Sequence, residues 1–148
     1  MKVAVTSPDT EMPKKLTFLD TNVLINAMCG ETELAARCFA VIDDPDREFV
    51  ASDFLKLELL PKPVCFKQEE SEAFYREYLS ATSKMLETTP EATRRAFDLA
   101  CLHGLGAIDA IHFQTAIEAE AAEFITTEKP TKPYFKINHP SVVATSLR

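Results

Sequence analysis

Thr17–Ile25, which reads Thr-Phe-Leu-Asp-Thr-Asn-Val-Leu-Ile, is the stretch that decides the fold of this chain. An apolar run ends in Asp20, two small polar residues follow, and a second apolar run begins. The pattern predicts a buried strand over Leu16–Leu19 and a helix over Asn22–Met28. In parallel α/β sheets, ligands bind just beyond the carboxyl ends of the strands. Asp20 is therefore predicted to lie where a functional side chain is expected.

The residues outside this stretch predict one domain with an amino-terminal tail. Met1–Lys15 contains Pro8 and Pro13 and predicts a mobile tail, with a short strand at Val3–Val5 as the alternative. The remaining residues, 16–148, are predicted to form a single domain, since a chain of 148 residues has the usual length of one domain. Neither a signal core nor a membrane-spanning run is visible, so we expect a cytoplasmic protein with free cysteines and no membrane partner.

The charge of the chain narrows the range of functions. A formal net charge of −7 argues against a protein that binds nucleic acid through a generally basic surface. It does not exclude a nuclease, because acids clustered around a metal add negative charge that the metal partly offsets. A local basic patch is sufficient to hold a phosphate backbone.

Strands and helices are predicted to alternate along most of the chain. Further helices are predicted from Thr32, over Phe54–Leu60, over Glu69–Glu87, over Pro90–Leu102 and from Asp109, and further strands over Glu48–Ala51, Glu123–Thr126 and Ser141–Ser146. A helical pair is inserted in the middle of this alternation. The order predicts an α/β fold in which a mainly parallel sheet is covered by helices on both faces.

Four acidic residues are predicted to meet at one edge of that sheet. Asp20 and Glu128 each follow an apolar strand, Glu58 lies early in the helix after the second strand, and Asp109 starts a helix. Each has an ordinary structural alternative: Asp20 and Asp109 as helix caps, Glu58 as a solvated acid, Glu128 as a loop acid. Their joint placement favours a site for Mg²⁺ or Mn²⁺, which prefer oxygen ligands and activate water for attack on a phosphodiester.

Small polar residues lie next to these acids and are predicted to support them. Asn22 is placed to hold a carboxylate or a metal-bound water, and Thr21, Thr126 and Thr127 to donate hydrogen bonds to the acids or to a phosphate. No second histidine lies near His112 in the sequence, so we predict a hydrogen-bonded helix histidine there rather than a metal ligand.

Three segments together resemble the PIN domain family. Phe18–Ile25 resembles the opening motif of that family, and Asp109–Ala116, which reads Asp-Ala-Ile-His-Phe-Gln-Thr-Ala, resembles its helix motif. Phe124–Lys129 is similar to the strand that normally closes with Thr-x-Asp, although Glu128 stands where Asp is usual. Glu58, after a strand and a serine, is in the place of the second acid of the family.

The resemblance implies both a fold and an activity. The implied fold is a three-layer α/β/α sandwich with a mainly parallel sheet. The implied activity is that of a Mg²⁺- or Mn²⁺-dependent endoribonuclease acting on RNA, often as a homodimer and, in VapC-type toxins, paired with an antitoxin protein. Asp20, Glu58, Asp109 and Glu128 carry over as metal-binding and catalytic acids. The extra methylene of Glu128 shifts its carboxylate by roughly a bond length, which matters to an octahedral ion.

Two other functions compete with this interpretation. A non-catalytic PIN-like scaffold that binds RNA or a protein is favoured by Glu128 and by the acidic surface. A phosphoryl-transfer or receiver domain requires paired acids at the first strand end, where this chain has Asp20 followed by Thr21 and Asn22. We rank the receiver domain last for that reason.

Overall fold

The computed structural model describes residues 12–30 and 32–148. Its first strand begins at Lys15. The alternative strand at Val3–Val5 and most of the predicted tail, Met1–Lys15, therefore lie outside the described residues. The division of the chain into that tail and a domain of residues 16–148 stays a prediction.

Parallel strands form the centre of the structure. In chain order they are β1 (Lys15–Leu19), β2 (Arg47–Ser52), β3 (Lys84–Leu86), β4 (Glu123–Thr126) and β5 (Val143–Ser146). They lie side by side in the order β3-β2-β1-β4-β5. Phe18 of the central strand β1 is in register with Val50 of β2 and Phe124 of β4. The carboxyl ends of parallel strands share one edge, so Asp20 lies in the middle of that edge.

Helices cover both faces of the sheet. Within the described residues they are α1 (Thr21–Cys29), α2 (Glu33–Ile42), α3 (Asp53–Leu59), α4 (Pro61–Cys65), α5 (Glu69–Ala81), α6 (Pro90–His103) and α7 (Ala107–Glu118). Successive side chains of a strand point to opposite faces. Leu19 accordingly joins a core with Val23 of α1, whereas Phe18 joins a second core with Phe113 of α7. The predicted three-layer sandwich is confirmed. None of these helices is both long and apolar enough to cross a membrane.

The predicted helix Glu69–Glu87 is wrong at its carboxyl end. α5 ends before Thr82, whose backbone is extended and whose hydroxyl donates to the carbonyl of Leu79 at 2.8 Å. The next residues form β3, in which Met85 is in register with Ala51 of β2. Pairing with the free side of β2 outweighs the helical periodicity of these residues. The prediction missed this pairing because periodicity carries no information about a distant strand.

Three further element boundaries differ from the predictions. Gly106 is the N-cap of α7 and Asp109 is its third residue, so Asp109 neither opens nor caps that helix. Pro61 ends the run of α3 as predicted, but it also begins α4, since proline fits the first turn of a helix. Strand β5 starts at Val143 rather than at Ser141.

Candidate active site

Asp20 is held rigidly at the end of the central strand. One carboxylate oxygen, Oδ1, accepts a hydrogen bond from the backbone N–H of Thr21 at 2.8 Å and thereby caps α1. The other, Oδ2, accepts from the hydroxyl of Thr126 at 2.9 Å, and only 6% of the residue is exposed. The helix-cap interpretation and the functional interpretation of Asp20 are therefore compatible.

Thr126 links the ends of β1 and β4. A hydroxyl has one proton, and Thr126 donates it to Asp20. The same hydroxyl accepts from the backbone N–H of Glu128 at 3.1 Å and lies 3.2 Å from the hydroxyl of Tyr134. Asn22 adds a second link, because its Oδ1 accepts from the N–H of Thr127 at 3.1 Å. These bonds set the direction in which the chain leaves β4.

Glu58 turns from α3 towards the same edge. Its Oε1 accepts a hydrogen bond from the hydroxyl of Thr21 at 2.7 Å and a second one from Nε2 of His112. Its side chain is 29% exposed and accepts two hydrogen bonds within the protein, which disfavours the alternative of a solvated acid. Burial alone would raise the pKa of Glu58, but the hydrogen bonds from His112 and Thr21 together lower it.

We call the four predicted acids the acidic site: Asp20, Glu58, Asp109 and Glu128. Charges within this site shift the pKa values of Asp20 and Asp109. Burial raises the pKa of Asp20, and the charge of Asp109 adds to that rise. Burial likewise raises the pKa of Asp109, to which the charges of Glu128 and Glu58 contribute. Lys132, whose Nζ lies 3.9 Å from Oε2 of Glu128, opposes the rise. The charge of Asp109 is thus coupled to those of the other three acids, which come from three other segments.

Two residues at this site were not predicted as part of it. His112 is a hydrogen-bonded helix histidine, as predicted, but its partner is an acid of the site. The available signal was its place three residues after Asp109, which puts both on one side of a helix. Tyr134 is fully buried against Thr126, and no local pattern pointed to it.

The sequence profile of the PIN domain family matches residues 17–129. This chain belongs to the PIN domain family. The matched range contains all four members of the acidic site, and the resemblance noted from three segments is confirmed. The family comprises nucleases. No curated protein matches the chain.

Solved structures with this fold include chains from toxin–antitoxin complexes. A chain of a toxin–antitoxin complex from Klebsiella pneumoniae is 25% identical, with a TM-score of 0.62 over 86% of this chain and 95% of that one. A chain of VapBC2 from Rickettsia felis, bound to a DNA fragment from their promoter, is 16% identical, with a TM-score of 0.64 over 88% and 98%. A chain of DNA-bound VapBC from Salmonella typhimurium is 17% identical, with a TM-score of 0.63 over 93% and 100%.

The acids of this PIN domain suit a hard divalent cation in their chemistry. Carboxylate oxygens are the ligands that Mg²⁺ and Mn²⁺ prefer, and a cation would offset the unfavourable burial and repulsion of Asp20 and Asp109. Among residues 12–30 and 32–148, no three Asp, Glu, His or Cys side chains are arranged to hold a metal directly. Mg²⁺ is commonly held by one or two carboxylates and several waters. The acids of this PIN domain therefore suit an ion that keeps several of its water ligands.

The raised pKa of Asp109 predicts a pH-dependent gain of stability for Asp109→Asn in the metal-free protein. The folded state holds the Asp109 proton more tightly than the unfolded chain does. The wild type therefore loses stability relative to the variant as pH rises from the ordinary value of 3.8 through the raised pKa. Urea unfolding with EDTA at about pH 4 and about pH 7 measures this difference. An advantage of the variant that grows towards acid pH would contradict the prediction.

Proposed function

We propose that this PIN domain is a metal-dependent endoribonuclease that hydrolyses phosphodiester bonds of RNA. The observation that supports it is the acidic site at the carboxyl edge of the sheet, where the charge of Asp109 is coupled to those of Asp20, Glu58 and Glu128. We assign these four residues as metal-binding and catalytic acids. Bound Mg²⁺ or Mn²⁺ would supply an activated water and stabilise the charge on the leaving oxygen.

The supporting residues act on the acids rather than on RNA. Thr21 gives its hydroxyl proton to Glu58 and Thr126 gives its own to Asp20, so neither has a proton left for a phosphate. The backbone N–H of Thr127 donates a hydrogen bond to Oδ1 of Asn22, which links the ends of β1 and β4. These contacts hold the carboxylates in place before substrate arrives, which reduces the reorganisation that catalysis requires.

A short lysine-rich segment is the proposed contact for the RNA backbone. Lys129, Lys132 and Lys136 follow Glu128 closely, and Lys129 and Lys136 are exposed. The side chain of Lys132 is 44% exposed, and its Nζ lies 3.9 Å from Oε2 of Glu128, a member of the acidic site. A local group of cations of this kind can hold a phosphate backbone in an otherwise acidic protein.

We further propose that the chain is a VapC-like toxin whose activity is controlled by an antitoxin protein. The toxin–antitoxin complexes among its structural neighbours support this assignment. The family resemblance supports a homodimer and a cytoplasmic location. The reading frame next to this one is the first place to look for the antitoxin, and copurification with its product is the test.

Cleavage of a mixed RNA pool tests the proposed activity. The protein, purified free of host nuclease, is incubated with RNA and either Mg²⁺ or Mn²⁺. We expect internal cleavage that stops when EDTA is added and resumes when the metal is restored in excess. Cleavage that persists in EDTA, or its absence with both metals, would contradict the proposal.

A non-catalytic scaffold that binds RNA or a protein is the second candidate. It is favoured by the lack, in the described part of the chain, of three side chains arranged to hold a metal. Calorimetric titration with Mn²⁺ separates the two functions. Saturable binding that is lost in Asp20→Asn supports the nuclease, whereas RNA binding without Mn²⁺ binding supports the scaffold.

Glu128→Asp is expected to preserve or raise cleavage. The shorter side chain restores the residue that is usual at this position of the family. It also changes the position of the carboxylate relative to Nζ of Lys132, which now lies 3.9 Å from it. Initial rates at saturating Mn²⁺ measure the effect, with Glu118→Asp at the end of α7 as the matched control. A large loss would show that Glu128 has a role that depends on its length.

A further inference from the structure

Glu58 occupies a place where a carboxylate would ordinarily extend into water. It follows Leu57, which is 62% exposed, on the outer side of the short helix α3. A long side chain on such a surface keeps more rotamer freedom when it is solvated. Glu58 is nevertheless turned inward with its side chain 29% exposed, so a specific contact must hold it.

His112 contacts Glu58 through its buried imidazole ring. The residue is completely buried on α7, one turn beyond Asp109. Its ring packs against Phe18, with ring centroids 5.4 Å apart, and against Phe54, at 6.0 Å. Burial and these two aromatic neighbours restrict the direction in which its nitrogens point.

Only one of the two ring nitrogens of His112 has hydrogen-bond partners among the described residues. Nε2 contacts Oε1 of Glu58 and lies 3.4 Å from the hydroxyl of Thr21. A carboxylate only accepts hydrogen bonds, so Nε2 carries the proton. Nδ1 is buried and has no hydrogen-bond partner among the described residues. A buried polar atom without a partner is costly, and a phenyl ring would avoid that cost. The contact with Glu58 is what a histidine adds at this position.

We propose that His112 is a positioning residue that holds Glu58 at the acidic site. This inference rests on the proposed nuclease function for its catalytic consequence, but the contact itself does not. His112 is fully buried and does not reach RNA, so it acts through Glu58. Because Asp109 and His112 share α7, one rigid helix sets the separation between the second and third acids of the site.

His112→Phe tests the proposal by removing the hydrogen bond while a ring still fills the space. We expect the cleavage rate at saturating RNA to fall by about 10–100-fold, the usual effect of losing the partner of a metal ligand, with little change in KM. His112→Gln, which keeps a side-chain N–H, should recover part of the rate. His103→Phe at the end of α6 is the matched control and should cleave like the wild type.

A double variant shows whether His112 acts through Glu58. Adding His112→Phe to Glu58→Gln should cause little further loss of cleavage, because the group that His112 positions is already altered. Wild-type cleavage by His112→Phe, or a full additional loss in the double variant, would overturn the proposal.

The contact can also be tested without metal or RNA. Proton–nitrogen correlation spectra of the histidine rings in the metal-free protein should show a proton on Nε2 of His112, with a resonance that shifts in Glu58→Gln. A ring protonated on Nδ1 alone would overturn the proposal. If the wild type does not cleave RNA, the proposed function fails, whereas this spectrum still decides the contact. It also decides the case in which His112→Phe does not fold.

Discussion

Asp20→Asn is expected to reduce metal-dependent RNA cleavage by at least about 100-fold. Loss of a residue that only hydrogen-bonds to a metal ligand costs up to about 100-fold, and loss of a ligand itself should cost more. Asp20 follows the central strand, and hydrogen bonds from Thr21 and Thr126 fix both of its oxygens. The variant keeps the shape of the side chain but loses the charge that attracts a cation. Initial rates on the mixed RNA pool, measured over a range of Mn²⁺ concentrations, give the effect.

The same variant is expected to remain folded, which separates catalysis from stability. Asparagine caps helices about as well as aspartate, so the start of α1 is retained. Burial and the charge of Asp109 raise the pKa of Asp20, so the ionised carboxylate destabilises the metal-free fold at neutral pH. We therefore expect the urea midpoint in EDTA to be unchanged or higher. Wild-type cleavage by this variant would overturn the assignment of the acidic site.

Glu123→Gln is expected to lower the free energy of unfolding by about 2–3 kcal/mol. Glu123 is 7% exposed and lies at the start of β4. Its Oε1 accepts hydrogen bonds from Nε of Arg47 at 2.6 Å and from the hydroxyl of Thr17 at 2.8 Å. These contacts join β1, β2 and β4 at the edge opposite the acidic site. Glutamine keeps the size of the side chain but leaves Arg47 with Asp44 as its remaining charged partner.

Urea unfolding of Glu123→Gln should be compared with that of Glu91→Gln. Glu91 pairs with Arg94 and Arg95 on the solvent side of α6, where ion pairs contribute little, so its variant should keep the wild-type midpoint. Cleavage by folded Glu123→Gln should match the wild type, because the residue lies at the end of β4 opposite the acidic site. Equal midpoints for the two variants would show that the buried pair contributes no more than a surface pair.

Much of the fold could be predicted because its signals are local. The apolar run before Asp20, the caps at Thr32 and Ser52, and the glycine after α6 each act within a few residues. The alternation of strand and helix then restricts the connections to a parallel sheet. Strand β3 was missed because residues 84–86 continue the helical pattern of α5, and only the free side of β2 makes them a strand.

The candidate site was predicted less completely than the fold. The four acids could be proposed because each follows a strand or lies near the start of a helix, positions that topology brings to one edge. The direction of each side chain could not be predicted. Glu58 turns inward because Thr21 and His112, from α1 and α7, meet it there. Lys132 approaches Glu128 because the chain turns after β4.

The amino-acid sequence by itself determined most elements of this PIN domain, its mainly parallel sheet and the types of residue at the carboxyl edge of that sheet. Periodicity, capping and strand-ending acids depend on neighbours in the chain, so they can be read without coordinates. The tertiary structure alone decided the pairing of Glu58 with His112, the position of Tyr134 against Thr126 and the edge strand β3. Each depends on groups tens of residues apart, whose contacts arise only when packing brings them together.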